Sequence, residues 1–243
     1  MNKNKIIYII STTLIIIALI LGISFKSAFD HISSIKVTGS SKTDFISDTI
    51  VWEATFGAKN LVLEHAYKKL DKDKQIITRY LIDNNVPRED FIFSSISMSK
   101  DYENKTDRDG IRTREFVGYS LYQNIKIESK AVDEIEYLSR EVTTLIDRGL
   151  EIQSERPYYF YSKLSDLKID MIAEATKDAT IRAAKIAESS NSSLGKLINA
   201  QMGVFQIVAK NSTENYTWGG RHNKTSKHKT ASVTAKLEYK IGL

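Results

Sequence analysis

The sequence contains no cysteine, which excludes disulfide bonds, thiolate metal sites and cysteine nucleophiles. Proline is scarce, with two residues in a chain of 243, and the 11 glycines are an ordinary number, so the chain is neither collagen-like nor a proline-rich disordered segment. Apolar residues make up 42% of the chain and charged residues 27%, which is typical of a folded domain with a substantial core. The length accommodates one sizeable domain or two small ones.

The chain also has no large excess of positive or negative charge. The net charge is +5, and Lys3 and Lys5 supply two of these charges. From Lys26 onward 33 basic residues stand against 30 acidic ones, and the chain has neither a long basic run nor a nucleic-acid-binding motif. The composition therefore argues against nucleic acid as a partner.

The longest apolar run lies near the N-terminus. Residues 6–25, IIYIISTTLIIIALILGISF, are 20 residues without a charge, and a helix of this length spans the roughly 30 Å hydrocarbon core of a bilayer. The alternative is a cleaved signal peptide, whose apolar region normally has about 7 to 15 residues followed by a small-residue cleavage site. Here Lys26 follows without such a site. We therefore predict an uncleaved transmembrane anchor over residues 6–25.

The charges that flank this anchor predict its orientation. Two lysines precede it and one follows closely, so the positive-inside rule keeps the stub 1–5 in the cytoplasm. Residues 26–33 then form a linker, and residues 34–243 form a domain outside the cytoplasmic membrane, in the periplasm or the extracellular space. The membrane is thus an expected partner.

Hydrophobic periodicity divides the exported part into strands and helices. Alternating patterns predict strands over 35–39, 48–56, 91–99, 116–129, 150–162, 196–208 and 230–241, and helical spacing predicts helices over 61–84, 131–148 and 165–190. Pro157 interrupts the fifth strand region and predicts a bulge or an edge there, because proline cannot donate to a strand ladder. The polar stretches 100–115 and 210–229 are predicted loops.

The third helix has an unusual run of small side chains. Alanines recur four residues apart, which lets a helix lie close to a sheet or to a partner helix; we favour core packing. They are Ala175, Ala179, Ala183 and Ala187. The order of elements over 46–162 is β-α-β-β-α-β, that of a split ferredoxin-like unit, and α-β-β follows. We therefore predict an α+β fold, with a transmembrane helix followed by a mostly antiparallel sheet carrying about three helices on one face.

The stretch Val37-Thr38-Gly39-Ser40-Ser41 raises the question of a phosphate-binding loop. Such a loop needs a helix directly after it, whereas the residues that follow alternate with the period of a strand. We therefore predict a turn between two strands at Gly39.

No catalytic or metal-binding motif is present. The four histidines form no H-x-x-x-H pattern, and no serine lies in a nucleophile motif; they are His31, His65, His222 and His228. No catalytic residue, cofactor or metal ligand is therefore predicted. The loop 210–229 is basic, and its cations are a candidate patch for an anionic glycan or lipid: Arg221, Lys224, Lys227 and Lys229.

Four segments, taken in order, resemble the SIMPL family, which includes bacterial periplasmic immunogenic proteins. They are IKVTGSSKTDFISDTIVWEATF at 35–56, VGYSLYQNIKIES at 117–129, AEATKDATIRAAKIAESSNSSLGKLI at 173–198 and ASVTAKLEYKI at 231–241. The resemblance implies an exported or membrane-anchored bacterial protein without established catalytic residues. It also implies links to envelope or oxidative stress, and some members are similar to ring-like or channel-like oligomers. The anchor and the basic loop 210–229 depart from the family pattern.

Three hypotheses follow from the residues and the resemblance. The first is a membrane-anchored, non-enzymatic module that forms a homo-oligomer or binds envelope components. The second is a module that binds an anionic glycan or lipid through the basic loop. The third is an unrecognised hydrolase, which a buried pair of carboxylates in a cleft would favour.

Overall fold

The structure is a computed structural model that describes residues 11–21, 33–106, 110, 112–213 and 216–242. Its strands are β1 Ser34–Ile46, β2 Thr49–Asn60, β3 Phe91–Phe93, β4 Ser97–Thr106, β5 Arg112–Ser129, β6 Glu151–Ser154, β7 Tyr158–Phe160, β8 Ser193–Met202, β9 Gln206–Ala209, β10 Arg221–His222 and β11 His228–Gly242. Residues 11–21 are helical (α1), and the other helices are α2 Leu63–Asp83, α3 Val132–Glu141 and α4 Leu164–Ser189. The described strands form one five-stranded and one six-stranded sheet.

The described residues fall into two compact units. The first unit draws on the described residues within Met1–Ser40, Ile172–Gly203 and Thr234–Leu243, and the second on those within Ser41–Met171 and Val204–Val233. Both units draw on the exported domain predicted over 34–243.

The second unit contains the six-stranded sheet, in the order β3-β5-β2-β6, with β4 also on β5 and β7 also on β2. Its central pair, β2 and β5, is antiparallel from Ile50↔Ser129 to Asn60↔Tyr119. Helices α2 and α3 pack on the face of this sheet that carries alternate, buried residues of β2: Ile50, Trp52, Ala54, Phe56 and Ala58. The period-two pattern of β2 thus defines the face that the helices cover.

In the first unit, β1 and β8 both pair with β11. The pairing of β8 with β11 is antiparallel, from Ala235↔Met202 to Gly242↔Ser193. Ala179 and Ala183 of α4 pack against apolar side chains of β1 and β11, namely Ile35, Val37, Leu237 and Tyr239. The alanine spacing therefore serves core packing between a helix and a sheet.

Much of the predicted fold is confirmed. The fold is α+β, its sheets are mostly antiparallel, and the order β2-α2-β3/β4-β5-α3-β6/β7 reproduces the expected unit over 46–162. Pro157 lies between β6 and β7, so the strand region 150–162 is interrupted at this residue, as expected. The prediction of a single sheet was wrong, because β1 and β11 belong to a different sheet from β2.

The predicted turn at Gly39 is wrong, because β1 runs through this residue from Ser34 to Ile46. The physical reason is the close approach of α4. A Cβ atom at Gly39 would lie 2.3 Å from the Ala175 carbonyl oxygen and 2.3 Å from the Ala179 amide nitrogen. Glycine is needed here for space within a strand and not for a turn.

The predicted loop 100–115 is also wrong, because most of it belongs to the hairpin of β4 and β5. Polar cross-strand contacts take the place of an apolar face. Asp101 accepts a hydrogen bond from Ser120 Oγ at 2.5 Å and pairs with Lys59 at 3.0 Å. The Arg114 guanidinium lies 4.4 Å from the centroid of the Tyr102 ring. Such pairs hold β4 to β5 and to Lys59 of β2 without the alternation that sequence patterns detect.

The predicted anchor over 6–25 is described only in part. Residues 11–21 form helix α1, while residues 6–10 and 22–25 lie outside the described residues, as do the stub 1–5 and linker residues 26–32. Among the helices that the structure describes, none is long and apolar enough to cross a bilayer.

Candidate functional site

The segment predicted as one basic loop, 210–229, contains ordered strand pairing. Strand β10 pairs in parallel with β9, through Arg221↔Gln206 and His222↔Ile207. Strand β11 begins at His228, and its residues 229–232 pair antiparallel with β9. The chain therefore leaves β9, returns alongside it as β10, and then enters β11.

The structure does not bring the four predicted cations into one exposed patch. Arg221 and Lys224 are exposed. Lys227 forms an ion pair with Asp133 of α3. Lys229 is 1% exposed, so its ammonium is not part of the surface.

Lys229 is held in the interior by one backbone acceptor. Its Nζ donates to the Tyr159 carbonyl oxygen at 2.5 Å, and the Tyr159 amide donates to the Lys224 carbonyl oxygen at 2.7 Å. The segment 224–229 thus secures strand β7 through both backbone groups of Tyr159. Burial disfavours the charged ammonium and lowers the pKa of Lys229 to about 8.

Two further basic residues, His222 and Lys168, belong to this neighbourhood. The pKa of His222 is lowered, first by burial and then by the positive charges of Lys229, Lys168 and Lys224. Lys168 comes from α4, and its Nζ lies 5.4 Å from the centroid of the Phe205 ring. Sequence reasoning missed Lys168, because more than forty residues separate it from the loop and no motif links the two.

Two exposed aromatic residues were missed as well. Trp218 is fully exposed at 102% of its reference area, and Tyr216 is 73% exposed. Both precede Arg221 and Lys224 by a few residues in the sequence. The signal was present in the sequence as Trp218-Gly219-Gly220 inside a polar stretch, since an indole in such a context has no apolar pattern to pack into.

The described residues offer little catalytic chemistry. They contain no group of three or more His, Asp or Glu side chains that could hold a metal ion. Asp73 is the one buried carboxylate among them, and it pairs with Lys69 at 2.5 Å instead of with a second acid. His65, His222 and His228 lie in the described part of the chain, whereas His31 lies outside it.

Each unit contains an open pocket among its described residues. The pocket of about 340 Å³ in the second unit lies beside β6 and is lined by residues that include Gly57, Tyr122, Ile146, Leu150 and Gln153. The pocket of about 250 Å³ in the first unit lies on the sheet and is lined by residues that include Lys36, Thr38, Asn199, Gln201 and Lys236. Neither is lined by a histidine or by a pair of carboxylates.

The comparison with known families agrees with the resemblance that four segments of the sequence show. Residues 35–239 match the family SIMPL, described as "Protein of unknown function (DUF541)". The chain belongs to the SIMPL family. A search of curated proteins found no match. The SIMPL match covers every strand from β1 to β10 except the first residue of β1, and most of β11. Family membership assigns no reaction to this chain, so its function has to be argued from its own surfaces.

Proposed function

We propose that this SIMPL protein is a membrane-anchored, extracytoplasmic and non-enzymatic module that self-associates through strand β8. The observation that carries the proposal is the exposure of β8. Nine of its ten residues are exposed and the other is half-buried, although the strand includes Leu197, Ile198 and Met202, which are 49%, 46% and 39% exposed. A long, apolar edge strand is a template for pairing with another chain.

A second copy of the chain is the occupant that this edge favours. In the first unit, β11 lies between β1 and β8, so β1 and β8 are the two outer strands among the described residues of this unit. A β8 edge can therefore continue onto the β1 edge of the next copy, or onto another β8. The first arrangement is heterologous and produces a ring or a filament, and the second produces a two-fold dimer.

Two sequence features support the remaining parts of this proposal. The uncharged run 6–25 is long enough for an anchor, and the flanking lysines favour export of the domain. The described residues lack a metal-binding cluster and a buried pair of carboxylates. The resemblance to envelope proteins supports a role in the cell envelope, including its response to stress.

The test is the mass of the full-length chain extracted in detergent, measured by size-exclusion chromatography with light scattering and by intact mass spectrometry. We expect an uncleaved chain in a defined multimer. The double variant Leu197→Lys, Met202→Lys should shift the particle to a monomer, because two charges would be buried without partners in the pairing strand.

The matched control is Ile146→Lys, which places the same charge on a residue of the second unit that is 53% exposed. This variant should keep the multimer. A wild-type chain that stays monomeric at high concentration would contradict self-association, and an unchanged multimer in the double variant would contradict the role of β8.

A further inference from the structure

We propose that the turn carrying Trp218 docks on an anionic lipid bilayer, with the indole at the headgroup level and the neighbouring lysines on lipid phosphates. The two tryptophans of the chain show how unusual Trp218 is. Trp52 is 1% exposed in the core of the second unit, whereas Trp218 is 102% exposed. An indole offers about 150–250 Å² of surface for burial, and the described residues bury none of it.

Hydrogen bonds made by neighbouring residues hold the turn that exposes Trp218. Gln206 is buried, and its Nε2 donates to the Thr217 carbonyl oxygen at 2.7 Å. Thr217 Oγ1 donates to the Gly220 carbonyl oxygen at 2.7 Å, and the Gly220 amide donates to the Thr217 carbonyl oxygen at 3.1 Å. Gly220 has φ +83°, a conformation that favours glycine. Two anchored residues thus bracket Trp218 and hold the turn that presents it.

The cations beside this turn supply charge complementarity. A Cβ atom at Gly220 would lie 2.9 Å from the Phe205 carbonyl oxygen, and Lys168 Nζ lies 5.4 Å from the centroid of the Phe205 ring, so Phe205 lies between Lys168 and the turn. Lys224 follows β10 and is exposed. Each lysine near an anionic leaflet strengthens its attraction by about fivefold. Lys229 is excluded by its burial.

The shape of the site favours a bilayer over a glycan. Sites for small ligands are concave and surround the ligand with converging polar groups. The Trp218 ring has full exposure, so no described side chain forms a wall beside it. A protruding indole next to lysines matches the planar interface, where tryptophan and basic side chains are enriched.

This inference is independent of self-association and of the anchor, since it concerns the surroundings of one side chain. The test uses the full chain with Trp52→Phe, so that Trp218 is the only tryptophan, mixed with vesicles whose acyl chains carry bromine. In vesicles of phosphatidylcholine with phosphatidylglycerol we expect a blue shift of the Trp218 emission, quenching by bromine and a several-fold loss of acrylamide quenching. Raising the ionic strength from about 0.1 M to about 1 M shortens the screening length from about 10 Å to about 3 Å and should reduce these effects.

Matched charge variants locate the contact. Lys224→Gln should weaken the quenching by bromine, whereas Lys72→Gln, an equal charge change on an exposed residue of α2, should not. Equal quenching in vesicles of phosphatidylcholine alone would overturn the proposal, and so would emission that stays red and accessible to acrylamide with both lipids. Protection of Trp218 by a soluble acidic polysaccharide, with no quenching by brominated lipid, would assign the turn to a glycan instead.

Discussion

Replacing Gly39 by alanine is expected to destabilise the first unit by about 3 kcal/mol, the upper part of the usual range for overpacking. The new Cβ atom would lie 2.3 Å from the Ala175 carbonyl oxygen, 2.3 Å from the Ala179 amide nitrogen and 2.7 Å from the Ala179 Cβ. Two of these three atoms are helix backbone, which cannot rotate away as the end of a side chain can. Strand β1 and helix α4 would therefore have to separate.

That separation would also remove a polar contact. The Ser40 amide of β1 donates to Asp178 Oδ2 of α4 at 2.9 Å, and Asp178 in turn accepts from Arg182 Nε at 3.0 Å. The Ser40 hydrogen bond is the first cause, and Arg182 the second, of a lowered pKa at Asp178. The variant should therefore return the pKa of Asp178 towards its ordinary value, which NMR titration of the carboxyl group can follow.

Thermal unfolding followed by circular dichroism measures the stability effect. A loss of about 3 kcal/mol in a chain of this size lowers the unfolding temperature by roughly 10 °C. The matched control is Gly219→Ala, since an added Cβ there meets no described atom within 4 Å. Adding Ala179→Gly to the Gly39 variant should not restore stability, because the backbone contacts remain. An unfolding temperature for Gly39→Ala equal to that of the control would contradict this account.

Elements with a clean period were predictable from the sequence because burial acts on them directly. Strand β2 presents Ile50, Trp52, Ala54 and Phe56 to the core, and each is at most 1% exposed. Helix α3 passes into a 3₁₀ turn that ends at Gly149 with φ +81°, where the glycine predicted the end. In both cases the local pattern and the tertiary packing favour the same structure.

Features decided by a distant partner were not predictable in this way. The sequence Gly39-Ser40-Ser41 is compatible with either a turn or a strand. Which of the two forms depends on packing against helix α4, more than 120 residues later in the chain. The burial of Lys229 depends on a carbonyl oxygen of β7, 70 residues earlier. Charge patterning placed this lysine on the surface, because lysines are mostly exposed.

The sequence identified the segment that contains the candidate site, but not the residues that form it. The basic character of 210–229 directed attention to the correct segment, yet only Arg221 and Lys224 of the four predicted cations are exposed there. Lys168 reaches the site from α4, and the orientation of Trp218 depends on the buried amide of Gln206 through its bond to Thr217. A single sequence records neither relation.

The stability of the second unit is expected to rise with pH through Lys229, relative to a variant in which methionine replaces this lysine. The folded pKa is about 8, below the ordinary value of 10.5, so the unfolded chain binds more protons at every pH between these two values. Under linkage, stability then increases with pH across that window, and the penalty of burying the charge is fully present below about pH 8.

The expected gain from pH 7 to pH 10 is about 2.5 kcal/mol, because a tenfold change in a proton-binding constant corresponds to about 1.4 kcal/mol and part of the window lies above pH 10. Neighbouring titratable groups contribute to both proteins. His222, Lys224 and Lys168 face this region, and burial raises the pKa of Tyr159. The difference between wild type and Lys229→Met therefore isolates Lys229.

Urea unfolding of both full-length proteins at pH 7, 8, 9 and 10, followed through the fluorescence of the buried Trp52 with Trp218→Phe in both, measures this difference. Lys229→Met also removes the donor to the Tyr159 carbonyl oxygen, which costs about 1–3 kcal/mol. That loss is nearly the same at every pH, so it offsets the curves without changing their slopes. Parallel curves would show that Lys229 keeps its ordinary pKa in the folded protein. If the stability of wild type rises more steeply with pH than that of Lys229→Met, a charged ammonium is buried against the Tyr159 carbonyl oxygen of β7 at neutral pH.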